Sequence, residues 1–293
     1  MVNLITRAYG NTTSTPLFIR HITSWFLPPF ALACIRALFS VYIFATILTT
    51  IGLQVGSGNA YASRVSFSFF TVLTWYGLGF YFAVSAIHGF IYAARGRAGF
   101  ASNGVVYDAE AGAREQIGGF RGALRWAHGW YYATVTTFPF LVTGVFWGLL
   151  ANGALYSPFS TWNNISEHAL NSFFAFFEVF VPRTEATHWI HIVPMVILLA
   201  LYLGLTYLSH SLNGFYVYPF LNVEKNGSGI TAAFIIGILV VAIIIFAIVH
   251  FVIKFRRWLT ETKLGMHGKL SRHDIPPSHS QDSDHIAVMA EKH

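Results

Sequence analysis

The chain has 293 residues, 55% of them hydrophobic and only 10% charged, with a mean hydropathy of +0.54. A soluble domain carries about 25% charged residues, so this composition excludes a water-soluble globule. The formal charge of +6 is gathered in loops between apolar runs, which argues against nucleic acid as a partner.

Taken in chain order, residues 1–29 form a cytoplasmic or interfacial N-terminal segment without a cleavable signal pattern. Trp25-Phe26-Leu27-Pro28-Pro29 leads into the first span. Six segments approach the roughly 20 apolar residues a spanning helix needs: 30–53, 65–93, 128–151, 165–181, 189–209 and 230–253. The fourth is the shortest and most polar. The expected fold is therefore all-α, a polytopic membrane protein with six transmembrane helices occupying 30–257. A cytoplasmic connection at 94–127 contains an interfacial helix near 120–126. A disordered cytoplasmic tail runs from 258 to 293, its basic start, Lys254-Phe255-Arg256-Arg257, suited to anionic lipid.

Loop charges orient the spans. Arg7 and Arg20, the five arginines between 95 and 125, Arg183 and the seven basic residues from Lys254 to Lys292 fall on one side. Arg64 and Lys225 fall on the other, and Arg36 lies inside the first span. That asymmetry predicts both termini in the cytoplasm, since cytoplasmic loops collect Lys and Arg. The expected host is an endomembrane or the plasma membrane. The lone Cys34 forms no intrachain disulfide.

Polar groups embedded in apolar runs are costly and mark sites. On an ideal helix Asn164, His168, Asn171 and Ser172 share a face, an arrangement able to fix the tautomer of a His168 base. In the second span Thr74, with Thr71 as the alternative, offers a hydroxyl that an imidazole can activate for attack on an ester. Asn164 or Asn171 would stabilise the oxyanion. Glu178 is too far along its helix to reach His168 and reads as a structural acid. The structural readings of the same residues are a threonine bonded to its own backbone and an interfacial or capping histidine. His88, His128, His191 and His250 lie toward one side and His168 and His210 toward the other, a distribution that also suits a haem-binding electron carrier. Neither zinc spacing nor a phosphate-binding glycine loop is present.

Three stretches resemble the androgen-induced membrane hydrolases, which cleave fatty acid esters of hydroxy fatty acids. They are Asn164-Ile-Ser-Glu-His168 followed by Glu178; His210-Ser-Leu-Asn-Gly214 running to Val217-Tyr-Pro-Phe-Leu221; and Phe138-Pro139 with Val145-Phe146-Trp147. The resemblance covers about 65–258. It implies an integral membrane hydrolase of lipid esters in which Thr74 is the nucleophile and His168 the base, without metal or cofactor. The implied partners are a membrane lipid substrate and the bilayer itself. A longer second loop and a basic, histidine-rich tail depart from the family. Arg36 is expected either to hold a substrate carboxylate or to pair with Glu178. The rival readings are a non-catalytic lipid-binding or transport scaffold and the haem carrier.

Overall fold

The computed structural model describes residues 17–102, 120–266 and 268. The expected mobile part of the second loop, 103–119, the tail from 269 and residues 1–16 lie outside these. Among the described residues every regular element is helical, and the only β-type pairing is an isolated bridge between Ser24 and Pro182.

We number the helices α1 (Leu17–Ile22), α2 (Pro29–Gly56), α3 (Ala60–Ser66), α4 (Phe70–Ser102), α5 (Phe120–Val145), α6 (Pro158–Ile165), α7 (Asn171–Phe180), α8 (Ile192–Asn213) and α9 (Val223–Arg257). Three π-helical turns extend or join them: Phe146–Leu150 after α5, Ser166–Leu170 between α6 and α7, and Trp258–Lys263 after α9.

Among the described residues five helices are long and apolar enough to cross a membrane: Pro29–Gly56, Phe70–Ala94, Trp126–Leu150, Trp189–Asn213 and Val223–Lys263. Their outward faces carry bare apolar side chains such as Leu38, Leu48, Leu201, Ile236 and Phe251. In water this surface would be an unpaid patch, whereas a bilayer solvates it. The fourth expected segment is also helical, without interruption from 158 to 180. Its first half, with Asn163, Asn164, Ser166, Glu167 and His168, is too polar to qualify as a span on composition. It begins at Pro158, earlier than the pattern suggested, because Ser157 caps it, accepting from Ser160 N–H at 3.1 Å, and proline suits the first helical position.

Two other boundaries differ from expectation. Residues 120–126 open α5 rather than forming a separate interfacial helix. The segment after 258 is not yet tail, because its π turn buries Thr260 and ties Glu261 to arginines.

The core is aromatic. Phe174 of α7 is sandwiched between Phe39 of α2 (ring centroids 4.1 Å, 18°) and Trp75 of α4 (5.9 Å, 9°). Trp75 and Phe82 are fully buried. Such offset stacks add to the burial itself. Helices α2 and α4 approach closely because α4 presents glycine to α2: a Cβ on Gly89 would lie 2.9 Å from that of Ala33, and one on Gly79 2.8 Å from Ile43 Cγ2. Small residues at such contacts are what lets membrane helices close on one another.

Candidate functional site

One end of the bundle is a layer of charge drawn from distant parts of the chain. Arg20 of α1 meets Glu261 at 2.5 Å and Glu185 at 3.4 Å; Arg257 meets Glu185 at 3.2 Å; Arg183 lies 3.6 Å from Glu261. Arg256 spends its guanidinium on backbone carbonyls of Val179, Pro182 and Thr184. The N-terminal segment, the loop after α7 and the end of α9 thus share one end, as the loop charges required.

Deeper lies Arg36, fully buried with Glu178. The pair is bidentate, Arg36 Nη2 to Glu178 Oε1 and Nε to Oε2 at 3.1 Å. Arg36 Nη1 donates to His21 O at 2.8 Å, and the Tyr81 hydroxyl donates to Glu178 Oε1 at 2.6 Å. Of the two expectations for Arg36, the structure shows the pairing with Glu178, each guanidinium nitrogen being engaged by that carboxylate or by the His21 carbonyl. Glu178 is the structural acid that its distance from His168 implied.

His21, in α1, stands edge-on to His128 (4.5 Å) and Tyr132 (5.0 Å). Burial first, then His128 and the guanidinium groups of Arg36, Arg20 and Arg256, hold its imidazole well below the ordinary 6.5. The folded state therefore binds fewer protons than the unfolded state once pH drops below about 6.5, so stability is full above that value and falls as the medium is acidified. Thermal midpoints in detergent should decline from pH 7 to pH 5. His21→Phe, which keeps the edge-on ring, should flatten that decline; an unchanged slope would remove His21 as its source.

His168 sits in the middle of the π turn Ser166–Leu170, buried, its ring lying flat on Phe146 (3.6 Å, 1°). Phe146 itself opens the π turn that ends the α5 helix. The His168 carbonyl accepts from Thr143 Oγ1 at 2.6 Å and from Trp147 Nε1 at 3.3 Å. Widened turns recur at functional sites because they displace backbone groups and re-aim side chains. Here the turn also breaks the face expected of an ideal helix. Asn164 Nδ2 turns back to Ala154 O and Ser160 O, and Ser172 Oγ donates to Pro139 O. Neither fixes the imidazole. Among the described residues His168 Nδ1 and both amide atoms of the fully buried Asn171 have no hydrogen-bond partner. Such buried groups are rare enough to require a reason.

Thr74 Oγ1 donates to Thr71 O at 2.9 Å, its own backbone. No hydrogen bond among those of the described residues joins it to His168. Register explains this. Helices α4 and α7 pair Trp75 with Phe174 and Tyr81 with Glu178. Counting back equally along both helices puts His168 level with Phe69 to Thr71. Thr74 lies roughly 5–8 Å farther along the axis. Thr71 shares the buried face of Trp75, four residues away, whereas Thr74 is turned toward α5.

Thr71 lines an apolar cavity of about 200 Å³ enclosed by α4, α5, α8, α9 and the stretch before α9. Phe146, Val145 and Leu141 form one wall; Tyr218, Phe220 and Leu221 another. Sequence reasoning missed Tyr202 and Tyr218 as site residues. Their hydroxyls accept from Phe70 N–H, at 2.8 and 3.1 Å, an otherwise orphan donor at the α4 N-terminus, and Tyr202 and Tyr218 line the same cavity as Thr71. The Tyr-Pro-Phe-Leu string pointed to Tyr218 without giving it a role. Gly214, at φ +73, ends α8 and turns the chain toward that string. His210 is stacked on Tyr216 (3.7 Å). His168 and His210 are thus each stacked on an aromatic ring.

Comparison with models of known protein families, with curated proteins and with solved structures finds no match.

Proposed function

We propose that the protein is a six-span membrane hydrolase of lipid esters, similar in kind to the androgen-induced membrane hydrolases, with both termini cytoplasmic and His168 as the base. The helix 158–180 serves as the sixth span, its polar half shielded inside the bundle. The nucleophile we assign is Thr71 rather than Thr74.

One observation carries this reading. The Phe146 ring lies on His168 with one face and walls the Thr71 cavity. Two of the three stretches that prompted the resemblance reach the cavity, through Val145-Phe146 and through Tyr218, Phe220 and Leu221; His168 of the third adjoins it across the Phe146 ring, which has to swing aside for the imidazole to enter. The cavity suits an acyl chain, being apolar with its hydroxyls gathered at Thr71, Tyr202, Thr206 and Tyr218. In the reaction, Thr71 Oγ attacks the ester carbonyl as His168 takes its proton. The same proton passes to the departing alkoxide, and water activated by His168 then releases the acyl group. The Asn171 amide, without a hydrogen-bond partner among the described residues, and the Tyr218 hydroxyl are the groups assigned to stabilise the oxyanion.

A second reading, lipid binding without chemistry, draws on the absence of any hydrogen bond between His168 and a second-span threonine among the described residues. An ester-mimicking fluorophosphonate or lactone probe separates the two. His168→Ala should abolish covalent labelling of the detergent-solubilised protein while leaving its elution profile intact. Labelling that persists ends the assignment of the base, and no labelling of the native protein favours the scaffold.

A further inference from the structure

At the charged end of the bundle α9 runs on through the π turn Trp258–Lys263. The carboxylates there are committed: Glu185 and Glu261 serve Arg20, Arg183 and Arg257. Arg256 rests on backbone carbonyls, which carry no compensating charge. Among the described residues neither Lys254 nor Lys263 meets a carboxylate within ion-pair distance, and both are exposed. Among those residues the cations of this end therefore outnumber its carboxylates, and the two lysines present part of the surplus at the surface.

The lysines flank one indole. Lys254 and Trp258 are four residues apart and so are neighbours on the helix surface. A π turn widens the repeat to i→i+5, which brings Lys263 rather than Thr262 into line with Trp258. Lys263 Nζ lies 5.3 Å from the centroid of that ring. An ammonium over an aromatic face keeps N–H donors for an anion. An apolar stripe leads from this row toward the middle of α9: Phe255, Phe251, Ile248 and Ile244, all exposed and spaced four and three residues apart. The Phe255 ring stands 5.8 Å from Trp258. From Phe255 to Ile244 the stripe is about 16 Å long, close to the roughly 15 Å of hydrocarbon in one leaflet. Indoles prefer the boundary between hydrocarbon and water, so exposed Trp258 marks the level of the headgroups.

We propose that the row Lys254, Trp258 and Lys263 binds the phosphate of an anionic phospholipid, with one acyl chain lying along Phe255, Phe251, Ile248 and Ile244. The two ammonium groups donate to the phosphate oxygens. A headgroup of net negative charge is preferred to phosphatidylcholine, whose choline brings its own cation against a surface already in positive surplus. The site goes beyond the hydrolase reading and stands without it, since it uses neither His168 nor Thr71.

The test is equilibrium binding to the full chain in nonionic detergent, read by native mass spectrometry. The probes are dioleoyl phosphatidylglycerol and dioleoyl phosphatidylcholine, which share acyl chains and differ in net charge. We expect phosphatidylglycerol to bind about tenfold tighter, the scale set by two lysines near a membrane surface, with the advantage shrinking as ionic strength rises. Lys254→Gln with Lys263→Gln should bring the two lipids to within about twofold of each other. Lys225→Gln, which removes a charge near the opposite end of α9, should leave the preference intact. Glycerol 3-phosphate, a headgroup phosphate without chains, should bind at least about tenfold more weakly than phosphatidylglycerol, for want of the buried acyl area. Equal binding of the two lipids, a full preference in the double lysine variant, its loss in Lys225→Gln, or glycerol 3-phosphate binding as tightly as the lipid overturns the proposal. Should the double variant fail to fold, the native comparison and the glycerol 3-phosphate arm still decide. Ester hydrolysis is not read, so loss of the hydrolase assignment leaves this result standing.

Discussion

Glu178→Ala should cost about 3–5 kcal/mol of stability, because it leaves the Arg36 guanidinium charged and unpaired in the bundle interior. The change is to be read as a loss of folded yield and a fall in thermal midpoint in detergent. Arg36→Ala should do the same by stranding the carboxylate. The pair adds little relative to a well-packed apolar core, since taking two charges out of solvent offsets most of their attraction. Arg36→Met with Glu178→Leu should therefore recover much of the loss. Recovery should stop short of native, because Tyr81 then loses its acceptor and the His21 carbonyl its donor, each worth about 1–3 kcal/mol when left buried. Adding Tyr81→Phe should close part of that gap. Single variants as stable as the native chain would mean that solvent reaches the pair, contrary to its complete burial. A double variant no better than either single one would mean that the pair fixes geometry the apolar residues cannot.

The same pair shows what the sequence made legible. A charge inside an apolar run announces a partner, and Glu178 was the obvious acid, but the two stand 142 residues apart and only the packing of α7 on α2 could decide between it and a substrate. The spans were legible because a bilayer imposes length and hydropathy on each helix separately. The common end of the N-terminal segment, the 181–188 loop and the end of α9 was legible from charge alone. Register was not. The π turn at His168 inserts an extra residue that no periodicity announces, so the face drawn through Asn164, His168, Asn171 and Ser172 dissolves. The continuation of α9 to Lys263 was hidden because Thr260 and Glu261 read as solvated tail until Arg20, from the opposite terminus, is placed against them.

Register also carries the sharpest functional consequence. If Thr71 is the nucleophile, Thr71→Ala should lower hydrolysis of a lipid ester by about a thousandfold or more, the scale of loss when a nucleophile is deleted and only binding and oxyanion contacts remain. Thr74→Ala should change the rate by less than about threefold, because its hydroxyl is bonded to its own backbone and its side chain borders a different cavity. Because the Phe146 ring lies flat on the imidazole, Phe146 governs access as well. Phe146→Trp, a larger ring over the same imidazole, should slow acylation, whereas Phe146→Ala should spare it or speed it. The probe measures all four, through initial labelling rates on protein of matched thermal midpoint. The opposite ranking, with Thr74→Ala inactive and Thr71→Ala active, would require α4 to slide by about one turn against α7. The Trp75–Phe174 stack and the Tyr81–Glu178 hydrogen bond could not both survive such a shift. A rate-dead Thr74 variant would therefore overturn the α4–α7 register along with the nucleophile.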